Sequence, residues 1–144
     1  MPRLKLELPE KLLTSVSIPV RINDINYGNH VGNNSIVEII HEARVQFLSE
    51  HGLSELNVGG TGLIMSELLV EFKNEAFYKD LMEVKIFCGE ISAVGFELFY
   101  QISVKRNNQT FIIAKAKTGM VSYDYSVKKV KAMPEELRST LLGK

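Results

Sequence analysis

Hydrophobic residues recur with two different spacings along this chain, and the change of spacing separates a helical segment from strand-like segments. Residues 14–23 alternate apolar side chains with small or polar ones, which is typical of a half-buried strand. Pro19 lacks an amide hydrogen, so this strand is expected at a sheet edge or at a bulge. Residues 36–48 carry apolar side chains at helical spacing, and Gly52 stands where a glycine commonly ends a helix. The pattern predicts a strand followed by one long helix, whose wide apolar face should be covered on most sides.

The start of this helix is also marked in the sequence. Asn33, Asn34 and Ser35 are residue types whose side chains commonly cap a helix. Glu38 follows Ser35 at the spacing of a capping box, in which two side chains bond each other's backbone amides. We therefore expect a side-chain cap at one of these three positions.

From residue 62 onward the chain is rich in β-branched and aromatic residues, which favour strands. Four strand-like segments, separated by short turn sequences, span residues 63–77, 81–92, 95–105 and 110–125. Because connections this short cannot join parallel neighbours, the strands should be antiparallel. Pro134, followed by two glutamates, predicts a short terminal helix. The order of elements predicts an α+β fold in which an antiparallel sheet wraps around one long central helix.

Composition narrows the class of protein without indicating its chemistry. The 144 residues, 45% of them hydrophobic, suit a single domain over residues 1–144, and no apolar run reaches the roughly 20 residues of a membrane span. The 17 basic and 17 acidic side chains balance, so no nucleic-acid partner is expected. No secretory signal is visible, and the lone Cys88 suits a reducing cytoplasm. Neither metal-ligand spacing nor a phosphate-binding glycine motif occurs, so we expect no metal and no nucleotide cofactor.

Three segments carry a recognisable order of residue types along nearly the whole chain. The loop from Arg21 to Asn33 reads RINDINYGNHVGN, residues 41–44 read HEAR, and residues 121–137 end a strand in SYD before a basic stretch and MPEEL. The loop is similar to the pattern R-x-x-D-x-D-x-x-G-H-V-N-N, and HEAR is similar to E-E-A-R, of the 4-hydroxybenzoyl-CoA thioesterase family. This resemblance implies a hotdog fold and hydrolysis of an acyl-CoA or acyl-carrier-protein thioester to free acid and thiol. Coenzyme A would then enter only as part of the substrate.

The chain departs from the family pattern at the position of the catalytic carboxylate. That carboxylate is usually the second acid of D-x-D, and Asn26 stands there. Asn29 replaces the glycine before the histidine, and Gly32 replaces the first asparagine after the valine. Plant acyl-carrier-protein thioesterases are similar in carrying D-x-N, so an asparagine at this position is compatible with activity in this fold.

We interpret the loop as the site of thioester chemistry. The backbone amides of residues 30–34, at the helix N-terminus, are expected to bind the oxyanion that develops on the thioester carbonyl. An acid and a histidine in the same loop can accept or deliver protons near neutral pH. The predicted catalytic residues are Asp24, Asn26 and His30. The residues expected to bind substrate are Tyr27, Asn29, Gly32, Asn33 and Glu42, of which the last is also the alternative base.

Several charged residues have a structural interpretation beside the functional one. Asp24 could form a turn, and Glu42, on a mostly apolar helix, could form an ion pair with a strand. One strand face should be solvated because it carries three acids: Glu67, Glu71 and Glu75. Lys115 and Lys117 also share a strand face, which is typical of a polar strand surface. The resemblance implies instead that they contact the phosphates of coenzyme A.

The sequence leaves other functions and the assembly open. A non-catalytic acyl-thioester-binding domain is compatible with the loss of the carboxylate at Asn26. A hotdog enoyl-CoA hydratase is less compatible, because its D-x-N-P-x-H signature resembles residues 24–30 only without the proline and with the histidine one position late. Since hotdog domains generally pair along sheet edges, we expect a homodimer or a dimer of dimers, hence a homotetramer, with the site between subunits.

Overall fold

The computed structural model describes residues 5–143 of the chain. The elements in chain order are β1 (Leu12–Pro19), a 3₁₀ turn (Ile22–Asp24), α1 (Asn33–Glu50), β2 (Gly62–Phe72), β3 (Leu81–Ile91), β4 (Gly95–Arg106), β5 (Gln109–Asp124), β6 (Lys129–Val130) and α2 (Glu135–Leu142). Each predicted strand and helix is present, and the 3₁₀ turn and β6 are additional elements. Neither helix of the described residues combines the length and apolar character that crossing a bilayer requires.

All the strands pair antiparallel in one sheet, with the order β1-β3-β4-β5-β2 and with β6 on β5. The β4–β5 connection is a tight hairpin because Asn107 and Asn108 both adopt positive φ, of 52° and 63°. β1 lies at one edge of the sheet and ends at Pro19, which confirms the edge position that this proline predicted. β2 forms the other edge, and in the part of the chain that the structure describes it pairs only with β5.

Helix α1 packs one side against the sheet and leaves the other exposed. Its buried apolar residues are Ile36, Ile39, Ile40, Ala43, Phe47 and Leu48. These side chains join one apolar core with the strands and with Leu137 and Leu141 of α2. The expectation that α1 is covered on most sides is wrong within this chain: Glu38, Glu42 and Val45 are exposed, because the sheet lies on one side only.

The C-terminus of α1 matches the prediction from the sequence, and the N-terminus does not. Gly52 follows the C-cap with φ +71°, as predicted for a glycine that ends a helix. At the N-terminus the cap is Gly32, and no side chain among residues 5–143 caps the helix, so the expected cap by Asn33, Asn34 or Ser35 is wrong. These three residues already lie inside the first turn, because the chain enters it from an extended Gly32.

A buried polar network fixes α1 to the sheet through the arginine of the HEAR segment. Arg44, 5% exposed, donates to the Tyr100 hydroxyl at 3.2 Å and to Glu55 Oε2 at 3.2 Å. Tyr100 also bonds the Thr118 hydroxyl at 2.7 Å, and burial raises the pKa of its phenol. Glu55 belongs to the connection after α1 and pairs with His41 as well. The network therefore holds the helix, two strands and a loop in one arrangement.

Candidate functional site

The predicted loop begins with a turn that is held by its own acid. Asp24 is 2% exposed, and its carboxylate accepts the Arg21 backbone amide at 2.8 Å and the Arg21 guanidinium at 3.2 Å. Its carbonyl accepts the amide of Gly32 at 3.0 Å, which joins the two ends of the loop. The Asp24 carboxylate is therefore committed to shaping the turn, as its structural interpretation predicts.

The side-chain amide of Asn26 places Oδ1 on the side of Gly28 and His30 and Nδ2 on the side of Gly32, the cap of α1. Its Oδ1 accepts the amide of Gly28 at 2.9 Å, and Nδ2 has no partner among residues 5–143. A β-carbon at Gly28 would lie 3.3 Å from both Asn26 Oδ1 and His30 Nε2, so a larger residue here would crowd the point where these side chains converge. Asn26 also packs against Gly32, the cap of α1. The structure thus brings together the predicted Asn26, His30 and Gly32.

His30 is paired with a carboxylate from outside the loop. Its Nε2 lies 3.2 Å from Glu75 Oε2, and its Nδ1 lies 3.0 Å from the carbonyl oxygen of Val31. Both neighbours are acceptors, so a protonated ring donates to each of them. Glu75 remains 59% exposed, which leaves room for water at the same carboxylate.

Sequence reasoning missed Glu75 because it placed this residue in a strand. In the structure β2 ends at Phe72, and residues 73–80 form a connection that turns back toward the loop. The amide of Val31 donates to the carbonyl of Ala76 at 2.8 Å, which brings the two segments together. The only local signal is the end of the apolar alternation before the polar run Lys73, Asn74, Glu75. Glu75 therefore does not belong to a solvated strand face.

The start of α1 offers free amides beside this pair. The amides of Val31 and Gly32, two of the expected oxyanion donors, are already bonded to Ala76 and Asp24, so they are not available. Within the described chain, the amides of His30 and of the helix residues Asn33, Asn34 and Ser35 have no partner. They lie at the positive end of an 18-residue helix and can donate to a developing negative charge.

Two adjoining depressions share His30 and Asn33 in their walls. The larger, about 550 Å³, is lined by the loop and the first turn of α1, including Glu38. The smaller, about 190 Å³, has an apolar lining formed by Val31, Ile36, Phe72, Ala76 and Ile113 and a polar rim that includes Glu75. A polar reacting group and an apolar acyl group can therefore lie on the two sides of His30.

The remaining predicted residues lie at the rim of the loop or away from it. Tyr27 is fully exposed at the edge of the larger depression, and Asn29 is a turn residue with φ +64°. Glu42 lies in a separate groove between β1 and α1, where its carboxylate accepts Gln46 Nε2 at 2.7 Å. Glu42 is exposed and has no ion pair among residues 5–143. It shares its groove with Arg21, at the start of the loop, and with Glu38, but it does not line the depression beside His30.

Charged residues elsewhere do not form a metal site in the described part of the chain. No group of three or more histidine, cysteine, aspartate or glutamate side chains within residues 5–143 could hold a metal ion.

Lys117 lies between Glu67 at 3.0 Å and Glu97 at 2.9 Å, and its hydrogen bond to Glu97 raises the pKa of its ammonium group. The positive charge of Lys117 is therefore balanced by these two carboxylates.

The fold is shared with solved thioesterases. A 1,4-dihydroxy-2-naphthoyl-CoA thioesterase from Synechocystis superposes with a TM-score of 0.79 at 24% identity, covering 89% of this chain and 94% of that one. A gentisyl-coenzyme A thioesterase superposes with a TM-score of 0.76 at 20% identity, covering 89% and 99%. A hypothetical protein from Staphylococcus aureus, solved in complex with CoA, gives 0.80 at 16% identity, covering 96% and 87%. At these identities the likeness establishes the fold.

The sequence itself assigns the family. No curated protein shows significant similarity to the chain. The sequence profile of the thioesterase-like superfamily, in contrast, matches residues 20–141, which include the loop, α1, strands β2 to β6 and all but the last residue of α2, and leave out β1. The chain therefore belongs to the thioesterase-like superfamily of hotdog thioester hydrolases.

Proposed function

We propose that this enzyme hydrolyses an acyl-CoA or acyl-carrier-protein thioester to the free acid and the thiol, with Glu75 as general base. The observation that carries the proposal is the His30–Glu75 contact of 3.2 Å beside the free amides at the start of α1. A carboxylate, a histidine and an oxyanion-binding helix terminus can together supply the proton transfers and the charge stabilisation of this hydrolysis. Glu75, from another part of the chain, thus supplies the carboxylate that the family pattern has at the position of Asn26.

Each proton in the proposed reaction has a defined path. A water molecule gives a proton to Glu75 as its oxygen attacks the thioester carbon, and the carbonyl oxygen becomes an oxyanion bound by the amides of Asn33, Asn34 and Ser35. When the tetrahedral intermediate collapses, the carbon–sulfur bond breaks. Protonated His30 then delivers its Nε2 proton to the leaving thiolate, and Glu75 passes its own proton to His30. The pair returns to its starting state after one water has been consumed.

The other predicted catalytic residues support this reaction without acting as bases. Asn26 presents its Nδ2 beside the helix cap and is proposed to donate a hydrogen bond to the thioester carbonyl. Asp24 is proposed as a positioning residue, since its carboxylate is buried against Arg21 and its carbonyl binds Gly32. Of the three catalytic residues predicted from the sequence, Asn26 would then be a hydrogen-bond donor, His30 a proton carrier and Asp24 a structural acid.

We further propose that two copies of the chain pair along β2 and that each sheet curls around its α1 as a central helix. β2 is an 11-residue edge strand with exposed apolar side chains, including Met65 and Phe72. An unpaired apolar edge of this kind favours pairing with another strand. Phe72 also lines the smaller depression, so a partner at this edge would complete the acyl pocket.

A measurement of solution mass tests the pairing. Light scattering at micromolar concentration should give at least twice the 16.2 kDa chain mass, and four times this mass if the dimers pair. Met65→Asp should shift the mass toward one chain, because it places a charge on the β2 edge. Leu56→Asp, at an exposed position in the α1–β2 connection, is the matched control and should remain paired. A single-chain mass for the unmodified protein contradicts the proposal.

Thiol release from a panel of short, long and aromatic acyl-CoA esters tests the function. The wild-type enzyme should release thiol from at least one member, and Asn26→Ala and His30→Ala should each lower kcat at least tenfold, about 1.4 kcal/mol in the barrier. Tight acyl-CoA binding without turnover would instead indicate a non-catalytic binding domain. Loss of enoyl-CoA absorbance on addition of water would indicate a hydratase.

A further inference from the structure

Arg106, the last residue of β4, makes three kinds of contact with the connection that carries Glu75. Its guanidinium forms a fork with the Asp80 carboxylate, with Nε 3.1 Å from Oδ1 and Nη2 2.7 Å from Oδ2. Nη2 also donates to the carbonyl oxygen of Glu75 at 2.9 Å. The guanidinium carbon lies 4.9 Å from the ring centre of Phe77 and 5.2 Å from that of Phe111. One side chain therefore bonds both ends of residues 75–80.

Asp80 is held by this arginine and in turn holds the end of β1. Its Oδ2 accepts the amide of Phe77 at 2.8 Å, and its carbonyl accepts the amide of Val20 at 2.9 Å. Partial burial raises the pKa of the Asp80 carboxyl, but the bonds from Arg106 and Phe77 outweigh burial and keep it below the ordinary value. Arg106 and Asp80 thus form an ion pair, and each of them also hydrogen-bonds to backbone groups of the neighbouring segments.

Residues 75–80 contact the catalytic loop on both of its flanks. Val20, just before the loop, is bonded to Asp80, and Val31, near the end of the loop, is bonded to Ala76 at 2.8 Å. The His30–Glu75 contact lies directly beside the Val31–Ala76 bond, since its two residues each precede a partner of that bond in sequence. The position of Glu75 relative to His30 therefore depends on the conformation of the segment that Arg106 fixes.

We propose that Arg106 is a positioning residue for thioester hydrolysis, which sets the Glu75 carboxylate against His30 by holding the Glu75 carbonyl and the Asp80 carboxylate together. This inference rests on the proposed function of Glu75. An arginine is required because a lysine offers neither the planar fork to the carboxylate nor the flat stacking on two phenylalanines. Arg106 itself touches no reacting atom.

Kinetics of single and double variants test this role. Arg106→Met should lower kcat at least tenfold with KM changed less than threefold, because the base is displaced while the substrate pocket is kept. Arg106→Lys, which keeps the charge, should also lower kcat and decides the question if Arg106→Met does not fold. Lys105→Met removes a neighbouring exposed charge outside these contacts and should retain the wild-type kcat. Wild-type kcat in both Arg106 variants overturns the proposal and leaves the proposed function intact.

The double variant separates positioning from general destabilisation. If Arg106 acts through Glu75, Arg106→Met in a Glu75→Gln background should cause less than a threefold further loss. A full tenfold further loss means that the arginine acts on something else, and the proposal fails.

A spectroscopic measurement covers the case in which the wild type hydrolyses no thioester and the proposed function fails. The ring resonances of His30, assigned with His30→Gln, should shift in Arg106→Met toward their values in Glu75→Gln. Unchanged His30 resonances in Arg106→Met would show that Arg106 does not position Glu75. The two claims can therefore fail independently.

Discussion

Glu75→Gln is expected to lower kcat for thioester hydrolysis at least 100-fold, about 2.7 kcal/mol in the barrier. Glutamine keeps the size of the side chain and can still bond His30, but it cannot take a proton from the attacking water. KM should change little, because the amides of Asn33 to Ser35 and the apolar depression are unaltered. Steady-state thiol release under saturating acyl-CoA measures the effect directly.

Glu67→Gln is the matched control for this substitution. Glu67 lies on β2, as sequence reasoning also assumed for Glu75, but its carboxylate pairs with Lys117. This variant should keep kcat within about threefold of the wild type. If Glu75→Gln retained more than a third of the wild-type kcat, the base would have to be sought at Glu38. That residue supplies an exposed carboxylate that lines the larger depression, on the other side of His30 from Glu75.

The sheet was predictable from the sequence because its signals are local. The turn Asn107-Asn108 combines two residues that tolerate positive φ, so the hairpin position was determined within one residue. Pro19 indicated an edge without any knowledge of the neighbouring strand. The exception is β2, which was predicted to reach residue 77 and ends at Phe72. The polar run of residues 73–75 ends the alternation of side chains. The amides of Lys73 and Asn74 still bond Ile113 of β5, but the backbone carbonyls of Glu75 and Ala76 bond Arg106 and the loop.

The site was predictable only where its residues share one segment. Asn26, His30 and Asn33 were found together because the loop and the helix start are adjacent in sequence. The His30–Glu75 contact joins residues 45 positions apart in sequence, and it depends on how residues 73–80 turn back, which no single-residue pattern encodes. For Asp24 the motif was misleading. Its position in the motif predicted a catalytic role, but the 3₁₀ turn directs its carboxylate toward Arg21.

Arg44→Ala is expected to lower the free energy of unfolding by about 3 kcal/mol, because it removes one partner from a buried charge pair. The substitution leaves Glu55 with His41 alone and takes one of two hydrogen bonds from the buried Tyr100 hydroxyl. It also opens a cavity under α1, since the Arg44 side chain is only 5% exposed. Urea unfolding followed by circular dichroism measures the change.

Two graded variants separate the contributions to this loss. Tyr100→Phe keeps the packing and removes only the hydroxyl, so it should cost about 1 kcal/mol. Arg44→Met also removes the charge, which leaves Glu55 with His41, but it fills most of the space and should cost less than Arg44→Ala because the remaining cavity is smaller. If Arg44→Ala unfolded within about 1 kcal/mol of the wild type, the HEAR arginine would not fix α1 to the sheet. The position of the helix start, and with it the oxyanion-binding amides, would then depend on the apolar contacts of Ile36, Ile39 and Ile40 alone.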